Sequence, residues 1–183
     1  MQGPETNIHQ ELIQRCLRGD RQAYYDLYKL YKRSMYNACY RILNNTEEAE
    51  DVLQESFISA FKNLNHFRGD SSFGSWLKQI VLNKAINQVK KRKLERLPDD
   101  DKFDVEEEVG DNEMEGYPFT VEKVKRAIEM LPDGYRVVMS LYLLEGYDHG
   151  EIAEILGISE STSKSQFNRS KKKIKEILQM TYE

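Results

Sequence analysis

Much that would mark a secreted, membrane-bound or metal-dependent protein is scarce in this 183-residue sequence. There are two cysteines, Cys16 and Cys39. Each sits inside an amphipathic pattern, which predicts small core residues rather than a disulfide framework. The three histidines, His9, His66 and His149, are scattered without metal-ligand spacing, so no metal and no other cofactor is expected. No glycine-rich phosphate loop or nucleophile motif occurs, which argues against the common enzyme classes and against a small-molecule substrate. The opening stretch MQGPETNIHQ holds no apolar run, and no segment approaches the ~20 apolar residues needed to span a bilayer. The expectation is a soluble, cytoplasmic protein. Alternating strand patterns and internal repeats are also lacking.

What is present is helical periodicity and unevenly placed charge. Hydrophobic residues make up 39% of the chain, enough for real cores, and the net charge is −4. Residues 1–97 carry 16 basic and 11 acidic side chains, residues 98–119 carry one and ten, and residues 120–183 carry ten of each. The acidic middle therefore conceals two basic surfaces, and screening beyond ~10 Å makes local charge decide contact with phosphate. The stretch DDDKFDVEEEVGDNEMEG in that middle lacks periodicity and reads as a flexible linker. Its reach, at ~3.3–3.6 Å per extended residue, is on the order of 70 Å.

Residues 148–175 read as a helix-turn-helix. Asp148 and Glu151 are spaced for a capping box, Ile152, Ala153 and Leu156 follow helical periodicity, and Gly157 ends the helix. Ser159 caps a second helix whose Phe167, Ile174 and Ile177 are expected to face inward. Between 164 and 175 it has six cations and no acid. Polar Ser161, Thr162, Ser165, Gln166 and Asn168 near its start, with cations behind, suit entry into a DNA major groove. The competing reading is two surface helices with a solvated lysine run.

Upstream, Ile8, Leu12, Ile13, Cys16 and Leu17 trace a short helix. A long one from Arg21 to Leu43 follows, its tyrosines placed to reach the rim of a core. Asn44-Asn45 makes a turn and Thr46 caps the third helix. There Ala49, Val52, Leu53, Ser56, Phe57, Ala60, Phe61 and Leu64 form a buried stripe, opposite Glu47, Glu48, Glu50, Asp51 and Glu55. Three readings of this acid stand open: complement to the helix dipole, a face for a basic protein partner, or a carboxylate metal site. No histidine stands at Glu-x-x-His spacing to favour the last. The loop NHFRGDSS leads into a helix with an apolar face of Phe73, Trp76, Leu77, Ile80, Val81, Ala85 and Val89. Asn83 and Asn87 stand one turn apart, with Lys84, Lys90, Lys91 and Arg92 among them. Such a loop and helix suit unstacked single-stranded bases, while cations at a helix end also match its dipole. Leu97-Pro98 ends this helix. Past the linker, Thr120 caps a helix with Val121, Val124, Ala127, Ile128 and Leu131 apolar. Pro132-Asp133-Gly134 breaks it, and Tyr135, Val138, Leu141, Tyr142 and Leu144 mark the helix before the helix-turn-helix. The expected fold is all-α: two helical domains, 1–97 and 120–183, joined by the acidic linker 98–119.

Three segments, in this order, resemble the bacterial sigma factors of the sigma-70 class, extracytoplasmic-function subgroup. AEDVLQESFISAF looks like their region 2.2. FRGDSSFGSWLKQIVLNKAINQVKKRK looks like regions 2.3 and 2.4. The stretch from LPDGYRVV to KKKI looks like region 4. The resemblance implies a non-enzymatic role, in which the chain binds core RNA polymerase and directs it to promoter DNA. It places Asp51, Gln54 and Glu55 against the clamp helices of the largest polymerase subunit. It places Asn65, His66, Phe67 and Arg68 around a base flipped from the −10 element, with Asn83, Lys84, Asn87, Lys90, Lys91 and Arg92 on nearby DNA. It places Ser161, Thr162, Lys164, Ser165, Gln166, Arg169 and Lys172 on the −35 element. In that helix Thr162, Lys164, Ser165 and Arg169 match the family pattern, whereas Ser163 replaces a usual valine, Gln166 a usual arginine, Phe167 a leucine and Ser170 an alanine. An anti-sigma partner is a further implication. The rival reading is a stand-alone helix-turn-helix regulator, which leaves the acidic face and the Trp76–Arg92 segment unexplained; an enzyme is a more distant one.

Overall fold

The computed structural model describes the backbone of residues 4–95 and 120–182 and the side chains of residues 9–92 and 120–181. Leu97-Pro98 and the acidic linker lie outside these. Among the described residues the regular structure is helical throughout, and contacts divide the chain into two compact units, Met1–Gln88 and Val89–Glu183. The division falls inside a helix that continues to Glu95.

The first unit is built from α1 (Pro4–Leu17), α2 (Arg21–Leu43), α3 (Thr46–Lys62) and α4 (Phe73–Glu95), with a short 3₁₀ turn at Leu64–His66. Gly19 turns at φ +84° between α1 and α2. Asp20 then caps α2, accepting from the amides of Gln22 and Ala23. Asn45, not Thr46, caps α3, accepting from the Glu48 amide at 3.0 Å. Asparagine caps as well as threonine does, and Asn44 before it takes the left-handed turn at φ 49°. The α3 stripe is buried as its periodicity predicts, apart from the half-buried Phe61. Ser56 within it donates to the Val52 carbonyl at 2.6 Å, which satisfies its hydroxyl inside an apolar face. Tyr24 and Tyr28 of α2 are half-buried and pack edge-on against Phe61 and Phe57, each pair with centroids 4.9 Å apart. In α4 the buried arc is wider than expected: Leu82 and Ile86 are 2% and 3% exposed alongside Leu77, Val81 and Ala85. In α1, Leu17 is 46% exposed, so that face is narrower than expected. Burial raises the Cys16 thiol to about 11 and the Cys39 thiol to about 12, so both are protonated core groups at neutral pH.

The second unit comprises α5 (Val121–Glu129), α6 (Asp133–Leu143), α7 (His149–Leu156) and α8 (Glu160–Tyr182). Ala127, Ile128 and Leu131 meet Met139 of α6 and Ile174 and Leu178 of α8 in one core. Val121 is 65% exposed and stays outside it. The break between α5 and α6 lies at Met130–Pro132, and Gly134 is already helical. Arg136 is 4% exposed, donating to the Leu131 carbonyl at 2.9 Å and to Asp133, and so staples that corner.

At the start of α7 the capping box is complete. Glu151 N–H donates to Asp148 at 2.8 Å, and Asp148 N–H donates back to Glu151 at 2.9 Å. Gly157 ends α7 at φ +71°, where an added Cβ would find no neighbour within 4 Å. Gly157→Ala therefore meets a conformational cost alone, expected to lower stability by about 1–2 kcal/mol in a thermal melt.

Candidate nucleic-acid interface

Three surfaces carry the candidate residues. On α3, Asp51, Gln54 and Glu55 are exposed and lie along one side of the helix. Ile58, 54% exposed, continues that line by one turn. Its spacing of three and four from Glu55 and Gln54, outside the buried stripe, was the available signal.

The second surface is the loop and α4. Leu64 is buried and anchors the 3₁₀ turn, which leaves Asn65 and His66 exposed. Arg68 is exposed beside Gly69, whose φ of +81° bends the loop. Phe67 is half-buried, with its ring 5.3 Å from Trp76 and 5.7 Å from Phe73. It is thus a wall of the loop rather than a free stacking platform. On α4, Asn83, Asn87, Lys90 and Lys91 are exposed, while Lys84 and Arg92 are half-buried. Lys84 pairs with Glu55 across the helices at 3.6 Å. Gln88, between the asparagines and the cations, donates to Glu48 at 3.3 Å and ties α4 to the start of α3.

The third surface is α8. Ser159 caps its start, accepting from the Thr162 amide at 3.0 Å. At 3.6 residues per turn, Ser161, Ser165, Asn168 and Lys172 fall on one line, with Arg169 and Lys164 on its two flanks. Lys172, Lys164 and Ser161 are exposed, and Ser165, Arg169 and Asn168 half-buried. Asn168 belongs with this line; its spacing of seven from Ser161 was the available signal. Lys164 pairs with Glu160 at 2.6 Å. Gln166 is a correction. It is 6% exposed, on the inward side with Ser163 and Ser170, both fully buried. Its spacing of three and four from those serines fixes that side, so it is not presented to DNA as expected. Thr162 is half-buried and its hydroxyl lies 2.7 Å from that of Ser159. Ser170 donates to the carbonyls of Gln166 and Tyr135, at 2.7 and 3.2 Å.

His149 locks the two helices of the motif together. Its Nδ1 lies 2.9 Å from the Ser163 hydroxyl, and its ring stacks on Tyr142 with centroids 4.6 Å apart. Phe167, half-buried rather than fully inward, packs against both rings. Desolvation first, and then the Lys164 charge, lower the His149 pKa below its ordinary 6.5. The unfolded chain therefore takes up this proton first as pH falls, and the contribution to stability is complete above 6.5 and declines below it. The expected result is a melting temperature for the second unit that falls with acidification below 6.5, and a shallower fall in His149→Gln.

Among the described residues no group of His, Cys, Asp and Glu is arranged to hold a metal, and no helix is long and apolar enough to cross a membrane.

Residues 27–95 match the family Sigma-70 region 2, and residues 122–174 match Sigma-70, region 4. The chain is 32% identical to the ECF RNA polymerase sigma factor SigW of Bacillus subtilis, over 91% of this chain and 94% of that protein. It is 32% identical to the RNA polymerase sigma-H factor of Pseudomonas aeruginosa, over 93% of each. It shares its fold with the sigma factor RpoE of Bartonella quintana, solved with the anti-sigma factor NepR, at a TM-score of 0.56 and 21% identity over 86% of this chain and 98% of that one. It also shares it with CnrH, solved with the cytosolic domain of CnrY, at a TM-score of 0.55 and 21% identity over 94% of this chain and 98% of that one. With both family regions present in order and relatives matched along nearly their whole length, the chain belongs to the sigma-70 family, in its extracytoplasmic-function subgroup, and directs promoter-specific transcription.

Proposed function

We propose that the two domains, 1–97 and 120–183, divide promoter recognition between them while α3 holds the polymerase. Asp51, Gln54 and Glu55 face the clamp helices of the largest subunit of core RNA polymerase. The loop at Asn65–Arg68 receives a base from the opening −10 element, and Asn83, Lys84, Asn87, Lys90, Lys91 and Arg92 steady the neighbouring strand. Capturing an unstacked base offsets an unstacking cost of a few kcal/mol, so that opening and recognition are one event. Ser161, Ser165, Arg169 and Lys172, with Lys164 and Thr162 at the edge, meet the −35 duplex; Gln166 supports that helix from within. The chain performs no reaction of its own and works in the cytoplasm. An anti-sigma protein binds it; the sigma factor RpoE was solved in complex with the anti-sigma factor NepR.

The observation that supports this reading is the segregation of exposed side chains. Acid lines α3, amides and cations line α4, and hydroxyls and cations line α8. A stand-alone regulator needs only the last. The test is transcription in vitro with core polymerase and fragmented genomic DNA. Discrete starts that share two upstream elements are the expected result, with Asn83→Ala losing promoter opening while −35 duplex binding is kept. No starts, and no co-migration with core polymerase, would refute it.

A further inference from the structure

The outward side of α2 has no part in the function above. Arg21, Tyr25, Lys29, Lys32, Arg33 and Tyr36 fall within an arc of about 120° that runs about 22 Å along the helix. The four cations and Tyr25 are exposed, and Tyr36 is half-buried. Tyr25 is 54% exposed, with Lys29 Nζ over its ring at 5.2 Å. Tyr36 stacks on Tyr40 one turn on, centroids 6.2 Å apart and planes 18° from parallel.

Charge on this side is of one sign. Asp26 stands just past the edge of the arc and accepts from Gln22 at 2.9 Å. Among the described residues no ion pair involves Arg21, Lys29, Lys32 or Arg33; Lys32 Nζ lies over the Tyr28 ring at 5.9 Å, as Lys29 lies over Tyr25. An ordinary solvated helix side mixes signs and pairs them at a spacing of three or four. Four exposed cations of one sign, set about the exposed ring of Tyr25, are instead the make-up of a surface that follows a phosphate backbone and stacks a base. A protein partner is the weaker fit, because the arc has no aliphatic anchor; Leu30, 50% exposed, points outside it.

We infer that the outward side of α2 binds single-stranded nucleic acid without sequence preference, at a site separate from the loop and α4. The sigma reading supplies only the source of that strand, the DNA freed when a promoter opens.

The experiment is fluorescence anisotropy of a short dye-labelled oligothymidylate titrated with the full chain, without polymerase, over a salt series. The wild type should bind at low salt. Lys29→Gln with Lys32→Gln should weaken binding about tenfold and flatten the salt slope by about 1.4, two phosphate contacts at about 0.7 each. Tyr25→Ala should weaken it about tenfold and leave the slope unchanged. Circular dichroism should show all three proteins melting alike, since every substituted residue is exposed. Failure of the wild type to bind overturns the inference, as do variants that bind like the wild type. Variants that keep oligonucleotide binding but lose co-migration with core polymerase would also overturn it, by making the surface a protein interface. Because the titration contains neither promoter nor polymerase, its failure leaves the sigma reading standing, and discrete transcription starts do not depend on it.

Discussion

Arg136→Ala is expected to cost the C-terminal unit on the order of 3 kcal/mol or more. The guanidinium holds the Leu131 carbonyl at 2.9 Å and the Asp133 carboxylate, while its stem is buried with the rest of the residue at 4% exposure. Hydrogen bonds to charged groups contribute about 1.5–3 kcal/mol, and loss of the packed stem adds to that. Leu131 belongs to the core shared with α8, so loosening this corner loosens the support of α8. A small domain has about 5 kcal/mol of stability at the low end, so the loss is a large fraction of the whole. The two units can be told apart because the only tryptophan, Trp76, lies in the first. Its fluorescence should melt as in the wild type, while far-ultraviolet circular dichroism should lose part of the helix at lower temperature. Adding Asp133→Ala to Arg136→Ala should change little further, since Asp133 at the helix start has already lost its partner. A single wild-type-like melt would show that the corner does not depend on the arginine.

The second large effect is expected from Asp51→Lys combined with Glu55→Lys. Both side chains are exposed on α3. Glu55 pairs across the helices with Lys84, and its own side chain there is 68% exposed, so losing the pair and setting a like charge in its place should alter stability by only about 1 kcal/mol, since both groups can turn to solvent. The fold is therefore kept, and any loss is one of binding. If this side meets a basic polymerase surface, reversing its sign places like charges together at a cost of several kcal/mol, about 100-fold or more in affinity. Gel filtration with core polymerase reads this directly. Retained co-migration would move the polymerase contact elsewhere.

In α3, where one face is apolar at regular spacing, sequence and structure agree. The α3 stripe, the capping box at Asp148 and Glu151, and the Gly157 turn are all local patterns, and local patterns determine local geometry. Disagreement begins where packing partners decide. The inner side of α8 starts with Ser163, Gln166 and Ser170 rather than with aliphatic residues, so hydrophobic periodicity gave no sign that Gln166 is buried. That Phe73 and Trp76 close on Phe67 and half-bury it is not visible in the order of its neighbours. Leu82 and Ile86 fell outside the single stripe drawn on α4, which is buried on more than one side. The pairing of Lys84 with Glu55 is likewise a product of two helices meeting.

That last pair has a thermodynamic consequence. Glu55 stands in the surface proposed for polymerase, and Lys84 in the surface proposed for the promoter strand. While the protein is free, each neutralises the other at 3.6 Å. On the proposed assignment, a polymerase group that engaged Glu55 would release Lys84 towards phosphate, which would link the two binding equilibria reciprocally. An exposed pair worth at most about 1 kcal/mol bounds this linkage at about fivefold. On that assignment the free protein would be slightly disarmed toward DNA, and the contact that recruits it would remove the restraint.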